Sequence, residues 1–428
     1  MKRRQFLRQS AALPLLPLAG AADPPLRVDG GRLNGWLAAF DAIGRTPGGI
    51  NRVAYSAADL AGRAFTLDLF TQAGLAPRLD AVGNIYGRLE GSDSSLAPVL
   101  IGSHVDSVTD GGNFDGPVGS FAAIEVARTL REQHVRLRRP LDVVVWQNEE
   151  GGTWGSKFAI GEVTDADLDA VARSGKTIRE GIGLIGGDVS RYQSAARSRG
   201  DIACYIELHI EQGGRLDRAG TQIGVVEGIV GIRWFEVTIT GLANHAGATA
   251  MDQRQDAMLA AARFTVAVND AIRSETGPQV ATVGRLVASP NTTNVIASQV
   301  VLTVDLRDLR PDVLTRFYQR FEALAREIES STGTTFVLKG LVDSKPALAD
   351  PQVMGWIGAS AEALGLSTAR MPSGAGHDAQ EIARIAPMGM IFVPSVGGIS
   401  HSPREYTRAE DITNGANVLL NAVVAAAR

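Results

Sequence analysis

The chain alternates short unbroken apolar runs with stretches in which apolar residues recur every three or four positions. Val99-Leu100-Ile101-Gly102, Leu141-Asp142-Val143-Val144-Val145-Trp146, Cys204-Tyr205-Ile206-Glu207-Leu208 and Met388 to Val393 read as buried strands. Leu33–Phe40, Ala57–Ala73 and Gly116–Leu130 carry helical spacing. Apolar strands alternating with helices predict an α/β sheet covered on both faces. In such sheets the binding crevice lies beyond the carboxyl ends of the strands.

From about residue 228 to 342 the pattern changes. Ile232–Thr240 alternates as a half-buried strand, Asp256–Ile272 is helical, Gln279–Val287 and Val300–Leu306 are strands, Leu314–Ile328 is helical and Thr335–Leu341 is a strand. The order β-α-β-β-α-β is ferredoxin-like. The expectation is therefore an α/β catalytic domain built from residues 23–227 and 343–428, interrupted by an inserted ferredoxin-like α+β domain over 228–342. Two passes of chain between the domains would make a hinge, and clefts favour such interfaces. There is no internal repeat and no long low-complexity stretch.

Composition changes the picture in three places. The 428 residues are 45% hydrophobic, enough for a large core, and the length suits two or three domains. The formal net charge is −4, and no basic run follows the N-terminus, which argues against a nucleic-acid partner. Cys204 is the single cysteine, so no internal disulfide forms. The N-terminus adds a further change. Met1-Lys2-Arg3-Arg4-Gln5-Phe6-Leu7-Arg8, an apolar stretch Ala11 to Leu18 and Ala19-Gly20-Ala21-Ala22 have the three parts of an export signal over residues 1–22. The apolar part is too short and proline-rich to span a membrane. Arg3-Arg4-Gln5-Phe6-Leu7 looks like a twin-arginine signal, which predicts export as a folded protein to the periplasm. No membrane contact is expected after cleavage, since no later segment is a membrane-span candidate.

The candidate chemistry lies in the histidines. Gly102-Ser103-His104-Val105-Asp106, Asn113-Phe114-Asp115-Gly116, Asn148-Glu149-Glu150-Gly151, Glu207-Leu208-His209 and Ser400-His401-Ser402 offer His104, Asp115, Glu150, His209 and His401 as metal ligands. Imidazole with carboxylate is the donor set of zinc and its neighbours. A lone His-x-Asp is usually a surface or structural pair, and a lone Glu-Glu is usually solvated; five such sites at strand ends or among glycines point to a metal centre. Asp115 can bridge two ions through its two oxygens, with Gly111, Gly112 and Gly116 allowing a tight turn toward the site. Asp106 can hold the second ring nitrogen of His104 and fix its tautomer. Glu149 is left as a candidate base. His134, inside the charged stretch Arg131 to Arg139, reads as solvated.

These segments, with Gly111-Gly112-Asn113-Phe114-Asp115-Gly116, Glu207-Leu208-His209-Ile210-Glu211-Gln212-Gly213 and Gly376-His377-Asp378-Ala379, closely resemble the M20-type metallohydrolases. The resemblance is to their hydantoinase/carbamoylase amidase branch, which holds N-carbamoyl-L-amino acid hydrolases, β-ureidopropionases and allantoate amidohydrolases. It covers nearly all of the chain after the leader. It implies a metal-binding catalytic domain with an inserted lid that also dimerises, and two divalent ions per subunit, zinc, manganese, cobalt or nickel. One ion would take His104, Asp115 and His209, the other Asp115, Glu150 and His401. By the same resemblance Glu149 is the general base and Asp106 its orienting residue. His245, in Asn244-His245-Ala246-Gly247, contacts the scissile carbonyl from the partner subunit of a homodimer. Gln212, Asn294, Arg307, Gly376 and His377 are the implied substrate-binding residues, Arg307 gripping a carboxylate through its planar fork. His377 is open between substrate contact and loop support. Taken alone, Asn294 and Arg307 are an ordinary loop amide and strand-end charge.

The implied reaction is hydrolysis of the carbamoyl (ureido) C–N bond of an N-carbamoyl-L-amino acid to amino acid, ammonia and carbon dioxide. Allantoate amidohydrolase is the alternative on the same residues, and an aminoacylase or dipeptidase is more distant. A non-catalytic exported binding protein is a reading from another class; Glu149 argues against it, since a binder needs no base. The export leader departs from the family, whose members are mostly cytoplasmic.

Overall fold

The computed structural model describes residues 24–428. The export signal read over residues 1–22 lies outside the described residues. Among those described, no helix is long and apolar enough to cross a membrane.

A nine-stranded sheet forms the larger body. Its centre is parallel. Val99–His104 lies between Leu141–Trp146 on one side and Cys204–Ile210 on the other, and Met388–Val393 pairs parallel with Cys204–Ile210 beyond that. Every residue of these four strands is buried. Their side chains divide by parity, as the pleat requires. Val99 and Ile101 join the core beneath the helices Gly30–Phe40, Pro117–Glu132, Pro351–Ala363 and Ala409–Ala426. Leu100, Val144, Trp146 and Tyr205 join the core on the opposite face, against Ala159, Ala379 and Ile382 of two short helices. That two-sided burial explains why the runs are continuously apolar.

Antiparallel strands extend both flanks. Ile85–Leu89 pairs with Leu141–Trp146, and Ile223–Ile229 pairs with Met388–Val393. Thr368–Ser373 runs parallel to Ile223–Ile229. From Val99–His104 the chain passes to Leu141–Trp146 on one side, then crosses to Cys204–Ile210 on the other. This is the switch point at which an α/β sheet opens its crevice.

The second sheet has four antiparallel strands in the order Val280–Ser289, Gln299–Asp308, Gly231–Thr240, Thr335–Ser344. Two helices, Ala257–Arg273 and Pro311–Thr332, cover one face through Phe264, Phe317 and Phe321. Gln299–Asp308 alternates strictly between buried and less buried positions, the signature of a sheet covered on one side. Local signals set the helix ends. Asp256 accepts hydrogen bonds from the N–H groups of Met258 and Leu259. Pro311 sits in the first turn of its helix, and Gly333 ends that helix with φ of 64°. The chain leaves the large sheet after Ile229 and rejoins it at Ala347.

Candidate metal centre and active site

His104 is the last residue of its strand, and His209 lies inside Cys204–Ile210 rather than just beyond it. Glu149 and Glu150 follow Leu141–Trp146, and His401 lies in the loop after Met388–Val393. All five therefore reach the carboxyl-end crevice. Asp115 enters it from the turn before helix Pro117–Glu132.

Several close approaches fix these positions. Gly116, with φ of 82°, ends the turn, and a Cβ there would lie 2.4 Å from the His104 ring. Ser120 Oγ donates to the His104 carbonyl at 2.7 Å. Asn148, Gln212 and His401 all adopt left-handed backbone conformations, with φ of 51°, 56° and 52°. Such conformations cost energy in non-glycine residues, and they gather at functional sites.

The ligand atoms converge as two groups. His104, Asp115 and His209 form one, and Asp115, Glu150 and His401 form the other. Asp115 Oδ1 lies 3.1 Å from His209 Nε2 and 3.6 Å from His104 Nε2. Its Oδ2 lies 3.1 Å from His401 Nε2, which is 3.6 Å from Glu150 Oε1. Each oxygen of one carboxylate thus faces a different group. The Nδ1 atoms of His104 and His209 lie against the carbonyls of Asp106 (3.1 Å) and Ile210 (2.9 Å). Their Nε2 atoms are left for the centre.

Asp106 plays a different part from the one expected of its side chain. Its carbonyl, not its carboxylate, meets His104 Nδ1; the carboxylate lies 3.6 Å away, beyond good hydrogen-bond length. Instead the carboxylate accepts the N–H groups of Glu149 (3.2 Å) and Glu150 (3.1 Å), and so sets where both glutamates begin.

The residues present suit divalent cations. His209 Nε2 and Glu150 Oε1 are buried without a hydrogen-bond partner. Asp106, Asp115, Glu149, Glu207, Asp378 and Glu405 are all buried in the same region. Buried acids in this number are costly without positive charge. Their proton affinities record that strain. Burial pushes the Glu149 carboxyl well above its usual range, with Asp378, Glu150 and Asp106 adding to it against His104. Burial pushes Glu150 up to about 7. Asp115 goes the other way: burial is outweighed by the neighbouring imidazoles of His104, His209 and His401, and its pKa falls well below the carboxylate range. Glu149 Oε2 is 3.7 Å from His104 Nε2, which sets a candidate base at the edge of the first group.

The sequence reading missed the residues that brace this centre. Glu405 Oε1 accepts the N–H groups of Phe114 (2.9 Å) and Asp115 (3.1 Å), while Oε2 accepts from Ser400 Oγ (2.7 Å) and the His401 N–H (3.3 Å). Glu207 accepts from Ser103 Oγ, Tyr205 Oη and the Ala379 N–H. Ser156 Oγ donates to Asp378 at 2.5 Å. Arg52, fully buried under the His104 loop, donates to the Val105 carbonyl at 3.2 Å, and burial lowers its pKa to about 10. Glu405 sits four positions after His401, a spacing that could have flagged it.

The expected substrate residues are spread over two elements. Gln212 Nε2 donates to Asp115 Oδ2 at 2.7 Å, and a cleft of about 450 Å³ opens beside it between the two sheets. Arg307 and Gly374 line the same cleft. Arg307 Nη1 donates to the Gly374 carbonyl at 2.7 Å, and Nε and Nη2 hold Asp305. The guanidinium therefore ties the smaller domain to the larger one while keeping donors on its terminal nitrogens. Gly376 lies just beyond this loop. His377 is 1% exposed: its Nε2 bonds Ser373 Oγ at 2.9 Å, and its ring packs edge-on to His209 at 4.5 Å. It is not among the residues lining that cleft; with Glu207 and His209 it forms a further convergent group, and burial beside His209 keeps its ring neutral.

His245 and Asn294 lie on an exposed edge of the smaller domain and make no hydrogen bond to the metal-centre residues among those described. The His245 loop pairs with the Asn294 segment through Ala246 N–H and the Asn294 carbonyl at 3.0 Å. His245 Nδ1 accepts the N–H groups of Gly247 (3.0 Å) and Ala248 (3.1 Å). With Nδ1 accepting, Nε2 is the ring nitrogen left to donate.

Comparison with known proteins supplies the context for this geometry. Residues 100–425 match the model of peptidase family M20/M25/M40. An N-carbamoyl-L-amino acid amidohydrolase of Geobacillus stearothermophilus is 37% identical over 92% of this chain and 98% of its own. An allantoate amidohydrolase of Bacillus subtilis is 35% identical over 90% of this chain and 94% of its own. A hydantoinase/carbamoylase family amidase of Burkholderia multivorans superposes with a TM-score of 0.87 at 37% identity, covering 94% of this chain and 98% of the other. The α/β body with its inserted domain, the convergent His/Asp/Glu groups and these relatives lead to one conclusion: the chain belongs to peptidase family M20/M25/M40, in the hydantoinase/carbamoylase amidase branch, and is a hydrolase of C–N bonds.

Proposed function

We propose that the chain hydrolyses the carbamoyl C–N bond of N-carbamoyl-L-amino acids, using two divalent ions per subunit. The observation that carries this is Asp115, whose two oxygens face different ligand groups with Glu149 beside them. His104, Asp115 and His209 would hold one ion, and Asp115, Glu150 and His401 the other. Zinc, manganese, cobalt or nickel suits these donors. Divalent ions bound there supply Lewis-acid charge, which acidifies water and polarises the substrate carbonyl.

The chain's own residues do the rest. Glu149 takes the proton of the attacking water and returns it to the leaving nitrogen, a role suited to a carboxyl whose pKa is raised by burial. Asp106 keeps Glu149 in place through its backbone N–H. In this reading His245 acts across a homodimer, its Nε2–H donating to the developing oxyanion. Arg307 takes the substrate carboxylate, and Gln212, Asn294 and the backbone at Gly376 line the remaining surface; His377 supports His209. The amino acid leaves with its nitrogen protonated, and the carbamate decays to ammonia and carbon dioxide. The Arg3-Arg4 leader adds export as a folded, loaded enzyme.

Allantoate is the second reading, favoured by allantoate amidohydrolases at 35% identity. Ammonia release separates the two. The assay compares N-carbamoyl-L- and D-amino acids, allantoate and N-acetyl amino acids with the metal-loaded chain. Turnover confined to N-carbamoyl-L-amino acids is expected. Turnover of allantoate alone would promote the second reading, and turnover of N-acetyl compounds alone would overturn both.

A further inference from the structure

The cleft beside Gln212 holds more positive charge than one substrate carboxylate needs. Arg215, Arg218 and Arg307 all line it. Arg307 is paired with Asp305 at 2.8 Å. Arg215 and Arg218 enter no salt bridge among the described residues. The nearby acids are already committed. Glu211 lines the cleft, but its two oxygens accept the N–H groups of Arg215 (2.7 Å) and Leu216 (2.8 Å). Asp217, between the two arginines in sequence, instead meets Arg408 and the Gly397 N–H, each at 2.9 Å.

Position and shape add to the charge. Arg218 folds back over the chain, so that a Cβ at Gly214 would lie 2.6 Å from its Nη1. Val230, Met371 and Pro372 give the same cleft apolar lining. Gln212 both lines the cleft and donates to Asp115, so the cleft adjoins the candidate metal centre through this one side chain. The cleft thus combines apolar lining with two guanidiniums that hold no carboxylate within salt-bridge distance among the described residues. Guanidinium forks favour carboxylates.

We propose that this cleft is the side-chain subsite and that it selects substrates whose side chain ends in a carboxylate, the N-carbamoyl dicarboxylic amino acids. Arg307 takes the α-carboxylate, and Arg215 and Arg218 take the second. The proposal rests on the ureido-hydrolase reading above.

N-carbamoyl-L-glutamate and N-carbamoyl-L-glutamine match in size and differ in charge, so their ratio of kcat/KM reads the subsite. The glutamate compound is expected to be preferred by roughly tenfold or more, since hydrogen bonds to charged groups are the stronger kind. The preference should shrink as salt is raised, because both arginines are exposed. Arg215→Gln with Arg218→Gln should bring the ratio toward one. A wild-type enzyme that handles the glutamine compound as well or better overturns the subsite, as does a preference that survives in the double variant. Hydrolysis of other N-carbamoyl-L-amino acids in that case leaves the ureido reading standing. Failure on every ureido compound removes the reading, and the subsite with it.

Discussion

Glu149→Gln keeps the size of the side chain and removes its ability to accept a proton. Turnover should fall by roughly 10²–10⁴-fold while bound metal, read by elemental analysis, stays near the wild-type level. Substantial retained turnover would exclude Glu149 as the base. Metal binding should also follow pH in a defined direction. A hydrogen bond to Asp115, working against burial, pushes His401 up to about 9, and burial pushes Glu150 up to about 7. Both must give up a proton to bind a cation, so protons compete below these values. Affinity for zinc should therefore rise as pH climbs from about 6 to about 8, flattening only near 9. Competition titration against a chelator checks this, and an affinity that is flat or falls over that interval would contradict it. The candidate ligands stood out in the sequence because each sits in a marked local setting: a strand end, a glycine turn or an acidic doublet. For Glu405 only the four-residue spacing from His401 was local; its partners Phe114 and Asp115 lie about 290 positions away in sequence.

At the scale of elements, Glu405 joins two loops that share no sequence neighbourhood, the turn ahead of helix Pro117–Glu132 and the segment carrying His401. Glu405→Gln would turn an amide N–H₂ toward donors that now share a carboxylate. Losing charged, buried hydrogen bonds of this kind costs about 1–3 kcal/mol. The melting temperature should drop and metal should wash out faster on dialysis; an unchanged melting curve would argue that the loops are held by other contacts. The central strands and the β-α-β-β-α-β order of the insert were readable because their hydrophobic periods are regular. Ile223–Ile229 and Thr368–Ser373 were not. Gly224, Glu227 and Gly228 interrupt the first, and Pro372 breaks the second, so neither carries a clean period. Helices Pro351–Ala363 and Ala409–Ala426 also went unread, although their buried faces close one side of the sheet.

For the whole molecule, the decisive question is where His245 works. Within one chain it is exposed, and among the described residues it bonds only its own loop. If the partner supplies it, His245→Ala and Glu149→Gln should each be inactive alone yet recover activity after mixing and subunit exchange. Random pairing predicts roughly a quarter of the wild-type rate, because half the dimers are mixed and each carries one complete site. No recovery, despite proven exchange, would mean that His245 serves its own subunit. The sequence by itself determined the fold class, the inserted domain and the candidate ligand residues, because periodicity and turn chemistry are local and survive in one dimension. Only the tertiary structure decided that Asp115 faces two groups, that Asp106 steadies the two glutamates, that His377 packs against His209 and that Arg307 ties the domains. Those outcomes depend on distances between residues far apart in the chain, set by how strands, helices and loops pack around a buried cluster of charge.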